Sequence, residues 1–219
     1  MKDGIPPARQ TIRQGAGRPT KQQAEARFEQ LLDTALDLFL EHGFERATIE
    51  MIATRVSMTK RTVYAKFEDK ASLFLAAVSR AIERVMVPDQ ALDALDGDDL
   101  ETALIAVARL RLRHLLTAEG LKLQRIVNTE SYRFPAIMTE AFERGAGPII
   151  DFVARQLRRH ALPGTAAHDR PELAAASFMS MVIGGPVRMI VSGMNMTDDE
   201  IEERITFTVR LFVEGVRTV

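Results

Sequence analysis

The sequence predicts an all-α fold. An amino-terminal three-helix unit built on a helix-turn-helix is joined by a fourth, linking helix to a carboxy-terminal helical bundle, about nine to ten helices in all. Three observations predict it: apolar residues recur at spacings of three and four along most of the chain, no stretch alternates convincingly with a period of two, and hydroxyl or carboxylate residues stand where the periodic segments open. With 219 residues, 46% hydrophobic and 27% charged, the chain has material for a large core. Its composition divides into a basic arm (1–19), a helix-turn-helix unit with its linking helix (20–87) and a bundle (88–219).

Residues 1–19 hold three Pro, three Gly and four basic residues with little to bury, which predicts a flexible arm. Thr20 and Gln23 then have the spacing of a capping box, and Ala24, Phe28, Leu31, Leu32, Ala35, Leu38 and Phe39 form one apolar stripe that ends at Gly43. A short helix follows from Thr48 to Arg55, with Ile49, Ile52 and Ala53 inward. After Val56, Ser57 and Met58, a second short helix opens at Thr59, a good N-cap. Asp69 is placed to cap a fourth helix, KASLFLAAVSRAIERVMV, that Pro88 stops. The acidic DQALDALDGDD reads as a connector or a frayed short helix. Beyond it, helical periods run over about 99–117, 120–133, from Pro135, from Pro148, over 170–192 and over 198–216. Asp198, Asp199 and Glu200 open the last of these, where negative charge suits the positive end of the helix dipole.

The net charge of −1 conceals a polarity. Residues 1–87 carry 14 basic and 11 acidic groups, whereas residues 88–219 carry 15 and 19. Within the first part, residues 1–27 hold six basic groups against two acidic, and residues 46–66 hold five (Arg46, Arg55, Lys60, Arg61, Lys66) against Glu50 alone. Charge nominates this region for a polyanion partner without proving one. The absence of Cys excludes disulfides and thiolate metal sites and makes a reducing cytoplasm the expected home. The start has no apolar signal-like core, and the longest uncharged apolar run, 181–187, is far below the ~18 residues of a membrane span, so neither secretion nor membrane insertion is expected. No HExxH, P-loop or GxGxxG occurs, and the four His have no ligand spacing, so neither an enzyme nor a metal or cofactor site is expected.

The segment TIEMIATRVSMTKRTVYAKF carries the chemistry. Two short helices around a three-residue turn are a helix-turn-helix. Val63 and Phe67, four apart, point to the core, which leaves Thr59, Lys60, Arg61, Thr62, Tyr64 and Lys66 for the outside. Cations and hydroxyls on a helix suit a DNA major groove, where they reach phosphates and the guanine edge.

From Gly17 to about Val87 the sequence resembles the DNA-binding domain of the tetracycline-repressor (TetR) family. The resemblance rests on GRPTK, EHGFERATIEMIATRVSMTKRTVYAKF and EDKASLFLAAV. It implies a homodimer in which Thr48 binds phosphate and the 59–66 helix enters the major groove. Lys60, Arg61 and Thr62 are then expected at base edges or nearby phosphates, Tyr64, Lys66 and Lys70 at phosphates, Thr59 at the DNA as the start of that helix, and the arm residues Arg9, Arg13 and Arg18 in the minor groove. Two positions depart from the common pattern: Ser57 stands where many members have Gly in the turn, and Arg61 where a small residue is usual. Met58 is read as a turn residue packed on the core.

The family further implies a bundle that dimerises and encloses a pocket for a small-molecule effector. LAAASFMSMVIGGPVRMIVSGM and IEERITFTVRLFVEGV are apolar on more than one face, as helices serving their own core and a partner's must be. LQRIVNTESYRFPAIMTEAFERG resembles the carboxy-terminal domain of one TetR subgroup. His114, Asn128, Tyr132, Met138, Phe142, Phe178 and Met181 are the candidate ligand-lining residues, and Met and Phe favour an apolar or amphipathic effector. The expected function is a repressor that binds a palindromic, double-stranded operator and is released by effector. The alternative is a ligand-independent or architectural DNA-binding protein with a solid bundle.

Overall fold

The computed structural model describes residues 20–217; the arm, with Arg9, Arg13 and Arg18, lies outside them. Twelve α-helices and one π-helical turn occur among the described residues, with no strand. Each cap expected in the first third of the chain forms. Thr20 and Gln23 bond reciprocally at the start of α1 (Lys21–Arg46). Gly43 interrupts that helix with φ +75°, a left-handed conformation that glycine adopts without steric penalty. Thr48 caps α2 (Ile49–Arg55), Thr59 caps α3 (Lys60–Tyr64), and Asp69 caps α4 (Lys70–Val85) in a capping box with Ser72.

The turn between α2 and α3 is a Schellman closure. The Met58 amide bonds to Ala53 O at 2.8 Å and the Ser57 amide to Thr54 O at 3.1 Å, with Ser57 left-handed at φ +53°. The position where family members commonly carry Gly is therefore the one whose backbone asks for it. Met58 packs on the core, as expected. Ile52 and Val63, both fully buried, hold α2 and α3 in the core, where α2 packs on α1 and α3 on α2, each contributing roughly 1.5–3 kcal/mol.

Salt bridges along α1 fix α4 and its neighbour. Glu29, Asp33 and Asp37, one helical turn apart, meet Arg80, Arg84 and Lys122 respectively, the Arg84 pair being bidentate at 2.6 and 3.1 Å. These pairs are partly exposed and contribute register more than stability.

The carboxy-terminal part contains α5 (Asp89–Asp93), α6 (Leu100–Leu115), α7 (Ala118–Glu130), α8 (Pro135–Glu140), a π-helical turn (Ala141–Ala146), α9 (Gly147–His160), α10 (Ala166–Asp169), α11 (Pro171–Val191) and α12 (Asp198–Arg217). The helices expected from Pro135 and Pro148 are one continuous run, because the π turn carries the backbone through Gly145 and Gly147 without a break. The single-turn α10 escapes periodicity analysis by its shortness. Thr197 and Glu200 cap α12 reciprocally, which gives its acidic opening the structural role expected.

The buried apolar residues form one cluster from Leu31 to Val216. Phe39, Phe44 and Phe74 on α1 and α4 meet Phe134, just before α8, with ring centroids 4.8–5.7 Å apart where they touch. Helix α11, at 21 residues and a mean hydropathy of 1.5, is long and apolar enough to cross a membrane by length and composition alone, a property that core helices share, so it does not overturn the expectation of no membrane insertion. It packs against α6, α9 and α12, yet Leu173 and Met181 remain exposed, as do Phe207 and Leu211 on α12.

Candidate nucleic-acid interface and cavity

The short helix α3 projects from α2 with its cap facing outward. The Thr59 hydroxyl accepts from the Thr62 amide at 3.1 Å and lies 2.8 Å from the Thr62 hydroxyl, so the two threonines form one polar patch at the helix start. Lys60, Arg61, Thr62, Tyr64 and Lys66 are exposed, while Val63 between them is fully buried. That single apolar anchor orients the helix and turns every other side chain to solvent.

The exposed cations differ in their partners. Lys60 Nζ lies 2.7 Å from Glu50 Oε2 on α2, an ion pair that sequence reasoning missed. Lys66 Nζ sits 4.8 Å from the centroid of Phe28, whose ring stacks on Phe67. The Arg61 guanidinium, exposed, has neither an ion pair nor a hydrogen bond among the described residues. Thr48 is exposed at the start of α2; its oxygen accepts from the Met51 amide at 3.2 Å, leaving the hydroxyl proton to donate.

Lys70 is a correction. A phosphate contact was expected of it, but its ammonium donates to Phe44 O at 2.7 Å, Glu45 O at 3.0 Å and Ala47 O at 3.1 Å. Its three donors are satisfied within the fold. It also lies 4.5 Å from the Phe44 ring, so it seals the end of α1 against the start of α4.

A second site lies at the other end of α4. Ile82, Val85 and Met86 form one wall of a half-open cavity of about 280 Å³, lined also by Arg111 from α6, by Leu123, Gln124, Val127 and Asn128 from α7, and by Met138, Ala141, Phe142, Gly145 and Ala146 from α8, the π turn and its end, with Asn128, Met138 and Phe142 exposed at its mouth. Of the candidate ligand residues, Asn128, Met138 and Phe142 line it. The others are corrected. Phe178 is fully buried against Phe212 as plain core, and Met181 is exposed on α11. Tyr132, 95% exposed, is not in this wall but lines an adjoining surface depression that shares Val127, Asn128 and Met138 with it. His114, half-buried, is not in the wall; burial and the neighbouring Arg111 and Arg113 hold its imidazole below the ordinary value.

Sequence reasoning missed Arg111. Only 9% exposed, its guanidinium makes one long hydrogen bond, Nη1 to Val85 O at 3.5 Å. Desolvation brings its pKa down to about 10. No group of acidic or histidine residues suited to a metal ion occurs among the described residues.

Comparison with known proteins agrees with this architecture. Residues 31–77 match the family described as bacterial regulatory proteins, tetR family, and residues 102–215 match the AefR-like transcriptional repressor, C-terminal domain. An uncharacterized HTH-type transcriptional regulator of Mycobacterium tuberculosis is 38% identical over 78 residues, which span 35% of this chain and 39% of that protein. The repressor AcnR of Corynebacterium diphtheriae is 26% identical over 171 residues, 76% of this chain and 82% of its own length. Among solved structures, the Flavonoid-responsive Regulator FrrA superposes with a TM-score of 0.64 at 28% identity, covering 87% of this chain and 96% of that one. A TetR family transcriptional regulator from Pseudomonas syringae shares the fold, with a TM-score of 0.65 at 19% identity over 86% of this chain and 95% of that one. With the carboxy-terminal match alone spanning more than half of its residues, and a capped helix-turn-helix ahead of it, the chain belongs to the TetR family of transcriptional regulators.

Proposed function

We propose that this chain is a dimeric, effector-released transcriptional repressor of the cytoplasm that reads a palindromic operator through α3. The observation that carries the reading is the exposed polar face of α3 and its flank, with Lys60, Arg61, Thr62, Tyr64 and Lys66 outward around one buried valine. A helix of this size fits the major groove, and its side chains have the chemistry to reach phosphates and base edges. Thr48 and Thr59 add hydroxyl donors for phosphate.

Dimerisation is supported by the apolar residues that α11 and α12 leave exposed, Leu173, Met181, Phe207 and Leu211. Two copies of these helices burying each other's faces form a symmetric four-helix interface. Such a dimer presents two copies of α3, which must lie about 34 Å apart to enter successive major grooves on one face of the duplex. The cavity at the end of α4 supports effector release, since α4 joins the reading head to the cavity wall, and it disfavours a solid, ligand-independent bundle. The name of FrrA, a responder to flavonoids, fits a small-molecule effector.

The test is fluorescence anisotropy on a palindromic duplex from the DNA flanking the gene. Lys60→Ala or Tyr64→Ala weakens binding by about 1–3 kcal/mol with little change in folding. Binding falls with salt at a log–log slope near −0.9 per neutralised phosphate. A flat salt dependence, or full binding by both variants, overturns the reading, and a stable monomer in sedimentation at micromolar concentration removes the dimer.

A further inference from the structure

Arg111 is out of keeping with the rest of the molecule. A buried guanidinium is expensive unless its five donors are met and its charge is balanced. Here one long bond to Val85 O engages Nη1, and no carboxylate of the described residues lies within ion-pair distance. The cavity that Arg111 faces has no acidic residue in its wall. Its polar groups besides the guanidinium are the amides of Gln124 and Asn128, four apart on α7 and so on one face of that helix. The remaining wall is apolar. Gly145 of the π turn lies beside the guanidinium: a Cβ there would stand 3.4 Å from Arg111 Nη2, at ordinary contact distance.

We propose that this cavity takes a monoanionic amphiphile, a carboxylic acid on a linear or aryl body, whose carboxylate lies on the Arg111 fork and whose body lies along Val85, Val127 and Phe142. The inference deepens the effector reading above and rests on it. A carboxylate matches the fork in a bidentate geometry, and the amides of Gln124 and Asn128 supply donors for its remaining lone pairs. A single guanidinium with no second unpaired cation in the wall balances one negative charge, which disfavours phosphate dianions. A cation meets repulsion, and a neutral ligand leaves the buried charge uncompensated. The volume of 280 Å³ corresponds to about nine water-sized groups at ~30 Å³ each, which suits a medium-chain or phenylalkanoic acid.

The same geometry ties the ligand to α4. Val85 is the last residue of α4, so Arg111 is a cationic cap on its negative end. A carboxylate that recruits both Nη atoms withdraws that cap and adds negative charge beside the helix end, biasing the linking helix away from the arrangement seen here.

Octanoate, octanamide and octylammonium test this on the full chain, by calorimetric titration and by anisotropy on the operator duplex. Octanoate is expected to bind at least about tenfold more tightly than octanamide, with octylammonium weaker still. Arg111→Met erases the preference for the anion. Without ligand it also raises the melting temperature, because an unbalanced buried charge disappears; a purely structural arginine would lower it. Arg111→Lys, which keeps the charge and loses the fork, retains the preference with affinity reduced severalfold, and it serves if the Met variant fails to fold. Equal binding of octanoate and octanamide, no binding of octanoate, or octanoate affinity indifferent to both variants overturns the proposal. If octanamide and octylammonium release the duplex while octanoate does not, the effector reading stands and the anion site falls. If octanoate binds through Arg111 but leaves the duplex bound, the site stands and the effector reading falls.

Discussion

The two ends of α4 are held by cations in opposite ways. At the start, Lys70 spends all three donors on carbonyls at the end of α1 and lies against the Phe44 ring, with Asp69 and Ser72 closing a capping box beside it. At the finish, Arg111 reaches α4 through one 3.5 Å bond to Val85 and otherwise borders a cavity. At the first end the cation has every donor met; at the second, Arg84 pairs with Asp33 and Ile82 and Val85 are buried, so the helix is held there too, and it is only the cation at its terminal carbonyl that is short of partners.

Phe74→Ala breaks that comparison most severely. Its fully buried ring touches Phe39, Phe44 and Phe134, so its loss lowers unfolding stability by about 3–5 kcal/mol in denaturant titration. Lys70→Met comes next, lowering stability by about 2–3 kcal/mol because three carbonyls lose a charged donor; the opposite sign expected for Arg111→Met is the sharpest statement of the contrast. Ser57→Gly removes left-handed strain in the turn near the first end and raises stability by about 0.5–1 kcal/mol after the greater entropy of an unfolded glycine. Smallest is a pH effect. Hydrogen bonds from Ser72 hold the Asp69 carboxyl below its ordinary value. A depressed folded value means that the contribution is present above the unfolded value and disappears as pH falls through the folded one. Melting temperature measured from pH 5 downward therefore declines below about pH 4, and Asp69→Asn, which keeps an N-cap, makes that decline shallower.

The same two ends differ in how far they were legible in the sequence. Caps at Thr20, Thr48, Thr59 and Asp69 act over three residues, and the anchor Val63 is fixed by helical spacing, so the reading head follows from local rules. The role of Lys70 does not, because its acceptors lie 23 to 26 residues back. The cavity wall draws on residues from Ile82 to Ala146, and only packing decides which apolar residues face it. Phe178 and Met138 are equally plausible by composition; the first is core and the second is wall. The π turn follows no period that a helical search weighs, and it is what brings Gly145 against Arg111.

The Glu50–Lys60 pair has a consequence for how binding is measured. A phosphate seated on Lys60 displaces a carboxylate that stays close by, so the local negative charge is only partly cancelled and the duplex keeps more of its condensed sodium there. That contact then informs on geometry while adding little to the ionic-strength dependence. Glu50→Gln frees the lysine beforehand: it tightens association indiscriminately, on random duplexes as well as on the operator, and trades selectivity for grip.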